Sequence, residues 1–226
     1  MNLIERRRGM VNTAESLPNY VSDGLVLWLD GVIKDNTAAR TWTDLVSGYV
    51  FSISSSYPND YKINNSDNVQ FNGQPLYDSS FNTPKAITST IEFVVDCPSL
   101  TSTSNSITIF KPKNITGLQI AAATYNGYFI FVQGGVLGAG NIMNRKYRPT
   151  LTKASFSINN SRPYQNGVSM SYNGSDYWSN INYNIVGGSS NLKIYCIRIY
   201  NRVLARDEQL HNLAIDNERF NLGLTL

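Results

Sequence analysis

The 226-residue sequence predicts an all-β fold, a two-sheet antiparallel jelly-roll sandwich with one C-terminal helix and an N-terminal arm. Short apolar runs of strand length recur at close spacing, Asn-Gly turns separate several of them, and helical periodicity is confined to the C-terminal segment. The 42% hydrophobic and 15% charged residues suit a large core better than a disordered chain. Because no repeat is visible, the sequence argues against a propeller or a solenoid.

Strand predictions begin at residues 24–31, a run apolar on both faces between two glycines, which is typical of a strand buried in a sandwich. Further strands are predicted at residues 91–95, 106–110, 118–124, 128–133 and 192–200. The dipeptides Asn126-Gly127 and Asn166-Gly167 predict tight turns, since both residue types tolerate positive φ.

The domain boundaries follow from where periodicity begins and ends. Residues 1–20 have no clean period and are predicted to form an arm or anchor, with residues 21–226 as the jelly-roll domain. Residues 205–220 predict the helix, packed on the sandwich by a stripe of Leu210, Leu213, Ala214 and Phe220. His211, the single histidine, is expected on the helix surface or in packing.

Charge and cysteine content narrow the class of protein. The formal net charge is +3, and the one basic cluster is Arg6 to Arg8, so we expect no nucleic-acid partner. No run approaches the roughly 20 apolar residues of a membrane helix, and no apolar core follows the basic cluster as in a signal peptide. Cys97 and Cys196 are expected as buried free thiols rather than a disulfide.

Three segments, taken together and in order, resemble the laminin-G-like jelly-roll family of the broad concanavalin A-like group. The first is residues 24–31 followed by Trp42, Asp44 and Ser47-Gly48, similar to the family's opening strand and turn. The second is residues 164–168 (YQNGV), similar to a hairpin before the last strands. The third is residues 194–204, with the RIYNR motif of the closing strand. The resemblance implies a sandwich over nearly the whole chain, with its first and last strands paired to close a sheet edge.

An arginine-rich N-terminal arm without a signal peptide also resembles virion proteins of bacteriophages, which use such jelly rolls in head and tail fibres. This resemblance implies a location in the virion after synthesis in the host cytoplasm. It implies docking on other virion proteins and assembly as a homo-oligomer, a trimer by analogy with fibres.

Catalysis is not expected. Glu92 and Asp96 are the nearest match to the paired carboxylates of related glucanases, but four strand positions separate them by roughly 13 Å, beyond the 5 Å or so of a retaining site. A second glutamate is missing from the motif. A nucleophile–histidine apparatus would have to use His211 on the helix. We therefore predict no enzyme activity and no cofactor.

Glycan binding is the stronger hypothesis, because aromatic faces stack on sugars while Asn and Asp side chains bond hydroxyls. A weaker candidate is the segment from Tyr125 to Tyr128. The alternative for both segments is that the tyrosines cover core edges or form a subunit contact. The predicted glycan-binding residues are Tyr172, Asn173, Asp176, Tyr177 and Trp178.

A metal site is not predicted. Asp30, Asp35, Asp44 and Asp176 are the available loop carboxylates, and none forms a recognisable calcium loop.

The arm residues Arg6, Arg7 and Arg8 are predicted to dock on acidic groups of a partner protein, because arginine forks suit carboxylates. Weak contact with nucleic acid and a solvated, disordered terminus are the alternatives.

The leading hypothesis is a non-enzymatic phage virion protein, a fibre or decoration subunit whose jelly roll contacts host-surface glycan or a neighbouring subunit. The alternative is a glycan-binding module of a bacterial secreted or surface system. An unusual glycosidase would need a second carboxylate within reach of Glu92 or Asp96.

Overall fold

The structure, a computed structural model, describes the chain in separate stretches. They are residues 17–33, 41–53, 62–64, 66–71, 75–78, 80–81, 88–96, 106–111, 120–125, 128–132, 142–147, 153–160, 162–169, 185–187 and 192–226. Within them lie sixteen strands and one α-helix, α1 (Arg206–Phe220). The strands are β1 (Leu25–Asp30), β2 (Thr41–Thr43), β3 (Val50–Ser52), β4 (Lys62–Asn64), β5 (Val69–Phe71), β6 (Pro75–Tyr77), β7 (Thr90–Asp96), β8 (Ser106–Lys111), β9 (Ile120–Tyr125), β10 (Tyr128–Val132), β11 (Ile142–Tyr147), β12 (Lys153–Asn159), β13 (Arg162–Gln165), β14 (Val168–Ser169), β15 (Ile185–Gly187) and β16 (Lys193–Tyr200).

The strands form two antiparallel sheets of eight strands each. Sheet A has the order β14-β13-β12-β7-β16-β5-β4, and β1 also pairs with β16. Sheet B has the order β11-β10-β9-β8-β15-β6-β3-β2. The predicted all-β, two-sheet jelly-roll sandwich with a C-terminal helix is confirmed.

The main core lies between the sheets, and strand alternation decides which side chains enter it. In β7, Ile91, Phe93 and Val95 belong to this core, whereas Glu92 points to the opposite face of sheet A. Burial of each such apolar side chain contributes about 1.5–3 kcal/mol. The outer face of sheet A can therefore carry polar and charged side chains.

The first and last long strands pair as the resemblance implied, with Trp28 opposite Arg198. β7 lies on one side of β16, and β1 and β5 lie on the other. β1 therefore covers a side of the closing strand that would otherwise be an open edge, as the resemblance implies. The strand path of sheet A ends at β14 and β4, and β1 lies beside it. A strand buried along nearly its whole length, as β16 is, suits the centre of a sheet.

The turn after β2 is organised by Asp44, which is fully buried. Its carboxylate accepts hydrogen bonds from the backbone N–H groups of Val46, Ser47 and Gly48, and from that of Trp28 at 2.6 Å. Burial raises the pKa of Asp44, and the four N–H donors oppose that rise. The Asp-x-x-Ser-Gly spacing of residues 44–48 thus ties this turn to β1.

The predicted turn at Asn166-Gly167 joins β13 to β14. Asn166 has φ +48° and Gly167 has φ +75°, the two positive values of a type I′ hairpin. The Asn166 side chain accepts a hydrogen bond from the Ser155 backbone N–H at 3.0 Å. This bond fixes the hairpin beside β12.

Helix α1 packs on the outer face of sheet A, but its predicted apolar stripe is half wrong. Leu213 and Phe220 are buried, whereas Leu210 and Ala214 are exposed. The remaining buried positions are polar, namely Gln209, Asn212 and Asp216. They are buried because sheet A presents charged and hydrogen-bonding groups beneath the helix. His211 is exposed, as expected, and its Nε2 lies 2.7 Å from the Asn19 carbonyl oxygen.

Residues 17–21 pack between α1 and β1, although the sequence predicts that residues up to 20 belong to the arm. Tyr20 is buried, and the half-buried Leu17 and Val21 contact the same cluster, which includes Trp28 and Tyr200. The Val21 backbone N–H donates to Asn212 Oδ1 at 3.0 Å. Residues 1–16, with Arg6, Arg7 and Arg8, lie outside the described part of the chain. Among the described helical residues, no helix is both long and apolar enough to cross a membrane.

Candidate functional site

A buried polar network joins α1 to sheet A, and Arg198 of β16 is its centre. The Arg198 guanidinium, 1% exposed, binds both oxygens of Asp216 at 2.8 and 2.6 Å and donates to Glu92 at 3.0 Å. It also lies 3.9 Å from the Tyr20 ring centroid. A buried guanidinium is tolerated only when its donors are satisfied, and two carboxylates satisfy this one.

The network continues to both sides of Arg198. Asn212 donates from its amide to Glu92 Oε2 at 2.9 Å and to the Tyr200 hydroxyl at 3.0 Å. Tyr20 donates its hydroxyl to Asp216 at 2.7 Å. The helix is thus attached to the sheet by matched polar partners rather than by an apolar stripe alone.

A second ion pair lies near the C-terminal end of α1. Arg219 binds the fully buried Asp30 at 2.8 and 3.1 Å. Asp30 also accepts from the Trp28 indole N–H at 3.0 Å and from the backbone N–H groups of Val32 and Ile33. Asp30, a loop carboxylate considered as a metal ligand, is therefore saturated with donors from the protein.

Electrostatics in the network follow from burial. Burial raises the pKa of Glu92, and the charge of Arg198 opposes the rise. Burial likewise raises the pKa of the Cys196 thiol well above its usual range. The Tyr200 hydroxyl has its pKa raised by burial and by the charge of Glu92. The Cys196 thiol and the Tyr200 hydroxyl, whose pKa values are raised further above neutrality, therefore stay protonated at neutral pH.

The two carboxylates considered for catalysis lie on one strand, as expected, and a third carboxylate comes beside one of them. Glu92 and Asp96 both belong to β7, and the carboxylate that comes beside Glu92 is Asp216, from the helix. Both Glu92 and Asp216 bind the same guanidinium and are almost fully buried. Asp96 pairs instead with Lys193, at 3.7 Å. No local sequence pattern indicates the Asp216 contact, because β16 and α1 come together only in the folded chain.

A small cleft opens where α1 passes over the hairpin of β13 and β14; we call it the helix cleft. Its inner wall includes Glu92 and Asp216. The other lining residues are Ser155, Ser157, Gly167, Arg206, Gln209 and Leu213. The volume inside is about 10 Å³, room for roughly one water molecule or hydroxyl group.

Strand register lines up the polar side chains that lead to this cleft. Arg198 is opposite Glu92, which is opposite Ser157, which is opposite Tyr164, which is opposite Ser169. These five positions cross sheet A on its outer face, from the buried network to the exposed edge strand β14. A row of polar groups therefore connects the centre of the helix interface to the sheet edge.

The rim of the cleft is formed by Arg206 and Tyr164. The Arg206 guanidinium lies 5.3 Å from the Tyr164 ring centroid, and its Nη2 donates to the Gly167 carbonyl oxygen. A Cβ at Gly167 would come within 2.7 Å of Leu213 Cδ2, so the helix approaches the turn closely because residue 167 is glycine.

Gln209 has a buried side-chain oxygen without a hydrogen-bond partner among the described residues. Its amide nitrogen makes a long contact of 3.3 Å to the Leu204 carbonyl oxygen. Exchanging the amide oxygen and nitrogen would leave the nitrogen unpaired in the same place. The helical pattern does not single out Gln209, because it predicts an apolar stripe on this helix face.

The predicted glycan-binding residues are not in the described part of the chain. Tyr172, Asn173, Asp176, Tyr177 and Trp178 belong to residues 170–184, which connect β14 of sheet A to β15 of sheet B. In the weaker segment, Tyr125 and Tyr128 are paired at the ends of β9 and β10, and Asn126-Gly127 lies outside the described residues.

The structure describes some of the residues considered as metal ligands or free thiols and not others. The Asp44 carboxylate accepts hydrogen bonds from the backbone of its own turn. Asp35 and Asp176 lie outside the described residues. Within the described residues, no group of three or more His, Cys, Asp or Glu side chains could hold a metal ion. Cys196 is a buried free thiol, as expected, and Cys97 is not described.

Comparison with known proteins shows a shared fold. No protein-family model and no curated protein sequence matches the chain. Among solved structures, Trypanosoma rangeli sialidase is similar at 12% identity with a TM-score of 0.60, over 95% of this chain and 37% of that one. The same sialidase in complex with sialic acid matches at 13% identity and a TM-score of 0.54, over 91% and 34% of the chains.

A third similar structure is the binding domain of Paraclostridial Mosquitocidal Protein 1, at 14% identity and a TM-score of 0.54. The match covers 84% of this chain and 52% of that one. The chain thus spans about a third of the sialidase and about half of the mosquitocidal domain. These proteins and this chain share a β-sandwich architecture.

Proposed function

We propose that this chain is a non-enzymatic glycan-binding jelly roll, acting as a fibre or decoration subunit of a phage virion. The observation that carries the binding role is the closure of one sandwich face. Helix α1 and residues 17–21 cover the outer face of sheet A, with Arg198, Glu92 and Asp216 bonded to one another beneath it. We assign recognition to the aromatic segment that follows β14 in the sequence.

The composition of that segment supports a sugar as the ligand. Residues 172–178 combine two tyrosines and a tryptophan with Asn173 and Asp176. Aromatic rings stack on the C–H faces of sugars, and amide and carboxylate groups bond their hydroxyls. Similar folds occur in a sialidase determined with sialic acid and in a domain described as a binding domain. These likenesses support the sugar-binding proposal at the level of architecture.

The proposal that the chain is not an enzyme rests on the contacts of two buried carboxylates, Glu92 and Asp216. A glycosidase of the usual type needs one carboxyl group as acid and another as base or nucleophile, both reaching the sugar. Glu92 and Asp216 are almost fully buried and share one guanidinium. Their pairing supports a structural role for both.

The test of the binding role is a glycan array probed with the wild-type chain, Trp178→Ala and Trp178→Phe. We expect saturable binding by the wild type, loss with alanine and partial retention with phenylalanine, which keeps an aromatic face. Equal binding by the wild type and both variants would show that Trp178 is not part of the binding site. An array without any bound glycan would contradict the proposed function.

The virion role is tested through assembly. We expect Arg6, Arg7 and Arg8 to dock on carboxylates of a neighbouring virion protein, and the chain to assemble as a homo-oligomer. Light scattering of the full chain is compared with a version lacking residues 1–16, which keeps the buried Tyr20. A defined oligomer for the full chain supports the subunit role. Monomers in both samples would contradict it and favour a binding module of a bacterial secreted or surface system.

A further inference from the structure

We infer that Glu92 is a proton-binding site in the interface between α1 and sheet A. Uptake of a proton at its Oε1 atom strengthens the attachment of the helix as the pH falls from neutral. The interface is thus a pH-sensitive device of the fold, formed by residues of β7, β16 and α1.

Both hydrogen bonds to the Glu92 carboxylate end on the same oxygen atom. Arg198 Nε donates to Oε2 at 3.0 Å, and the side-chain amide of Asn212 donates to Oε2 at 2.9 Å. Among the described residues, Oε1 has no hydrogen-bond partner. A proton can therefore bind Oε1 while Oε2, as the carbonyl oxygen of the neutral acid, still accepts from both donors.

The charges in the buried network leave Glu92 without a cation of its own. Asp216 binds two nitrogen atoms of Arg198 with its two oxygen atoms, at 2.8 and 2.6 Å, and so neutralises that guanidinium. Arg219 binds Asp30 in the same two-point manner. Two cations are thus matched by two carboxylates, and the Glu92 carboxylate is a third. A surplus buried negative charge is costly, and proton uptake removes it.

The other described groups around Glu92 do not supply a buried cation. The side chains of β12 at the cleft, Ser155 and Ser157, are uncharged. Arg206 also lines the cleft, but it is exposed and its guanidinium donates to the Gly167 carbonyl oxygen, so water and salt screen its charge. The remaining titratable groups on this face carry no charge while protonated, and they belong to Tyr20, Tyr164, Cys196 and Tyr200.

Burial and access to water are combined at this carboxylate. Glu92 is 4% exposed. Burial raises its pKa, the charge of Arg198 opposes the rise, and the charge of Asp216 adds to it. Glu92 also lines the helix cleft, whose volume of about 10 Å³ holds roughly one water molecule. The cleft therefore gives protons a path from solvent to the carboxylate.

The direction of the pH effect follows from linkage. Because folding raises the pKa of Glu92, the folded chain binds the proton more tightly than the unfolded chain does. The stabilisation is fully present below the ordinary pKa of 4.5 and is lost as the pH rises through the pKa of the folded chain. Each pH unit between these two pKa values corresponds to about a tenfold change in the folding equilibrium constant.

The first measurement is carbon-13 NMR of the Glu92 side-chain carboxyl group in the wild-type chain, from pH 4 to pH 8. Sequential assignment identifies the resonance, so the result does not depend on a variant that folds. We expect a titration midpoint above the ordinary 4.5. A midpoint at or below 4.5, or a resonance that stays unchanged over the series, would overturn the inference.

The second measurement is urea denaturation of the wild type and Glu92→Gln from pH 8 to pH 5. Glutamine resembles the neutral acid, because it offers a carbonyl oxygen to Arg198 and Asn212 and places an amide where Oε1 lies. The wild type should gain stability relative to Glu92→Gln as the pH falls, by the factor that the NMR midpoint predicts.

Glu218→Gln is the matched control, since it removes an exposed carboxylate of the same helix and keeps Glu92. It should show the same gain over Glu92→Gln as the wild type does, and its Glu92 resonance should titrate at the wild-type midpoint. A stability difference between the wild type and Glu92→Gln that does not change with pH would contradict proton uptake at Glu92.

Discussion

Arg198 of the central strand and Asp216 of the helix form a two-point ion pair, with N–O distances of 2.8 and 2.6 Å and both residues 1% exposed. Arg198 also binds Glu92, so one guanidinium is shared by a strand carboxylate and a helix carboxylate. The pair therefore attaches α1 to sheet A and determines which sandwich face is closed.

The first prediction concerns this ion pair. Asp216→Asn removes one carboxylate and leaves the Arg198 charge incompletely paired in a buried site. We expect the free energy of unfolding to fall by about 3–5 kcal/mol, the usual effect of breaking a buried pair. Urea denaturation followed by circular dichroism measures it. Glu218→Gln, on the exposed face of the same helix, is the control and should change stability by less than about 0.5 kcal/mol. Equal stabilities of the two variants would contradict the structural role of the pair.

The second prediction concerns acid stability at the start of α1. Glu208 binds Arg202 at 2.8 and 2.5 Å and accepts from the Ala205 backbone N–H, and these contacts lower its pKa to about 2 from the ordinary 4.5. Because the folded state favours the carboxylate, the stabilisation is present above pH 4.5 and is lost as the pH falls toward 2.

Glu208→Gln should therefore be less stable than the wild type by about 0.5–1 kcal/mol at pH 7, since the pair is largely at the surface. The difference should shrink steadily at pH 4 and pH 3. Urea titrations at the three pH values measure it. A difference that stays constant across the series would show that the charge of Glu208 contributes nothing.

The third prediction concerns Cys196, which is fully buried and has its thiol pKa raised by burial. Because the thiolate is the reactive form, we expect no labelling of Cys196 by an aromatic disulfide reagent in the folded protein. Full labelling should appear in denaturant. The experiment uses a Cys97→Ser background so that the signal belongs to one thiol. Rapid labelling without denaturant would contradict the packing of α1 over β16.

The fourth prediction separates backbone strain from steric conflict at two glycines with similar positive φ. Gly187 has φ +73°, and a Cβ there would lie 2.4 Å from the Phe71 ring. Gly223 has φ +66° with nothing within 4 Å of an added Cβ. Gly223→Ala should cost about 1 kcal/mol for the conformation alone, and Gly187→Ala about 2–4 kcal/mol, because overpacking adds to it. Denaturation midpoints compare them, and equal costs would contradict the approach of β15 to Phe71.

Local signals predicted the sandwich well. The Asn166-Gly167 dipeptide predicts its own turn, because both residues tolerate the positive φ that a type I′ hairpin needs. The run at residues 24–31 predicts β1, because an apolar stretch of that length has few other uses in a globular domain. These features depend on neighbours in the chain, which a single sequence displays.

The helix interface could not be predicted in the same way. Gln209, Asn212 and Asp216 are polar residues, so helical periodicity assigns them to solvent. They are buried because Glu92, 120 residues before Asn212, and Arg198 of the adjacent strand come beneath the helix. Partners at such sequence separation leave no local pattern. The helix cleft depends on the same long-range contact and was missed for the same reason.

The central claim is that this jelly roll binds a glycan and leaves it intact. The most direct measurement is a calorimetric titration of the best array ligand into the wild-type chain, with recovery of that ligand after prolonged incubation and analysis by mass spectrometry. We predict saturable binding, loss of binding with Trp178→Ala, and a recovered oligosaccharide of unchanged mass. A shortened or hydrolysed product would contradict the non-enzymatic assignment, and no binding by the wild type would contradict the glycan-binding role itself.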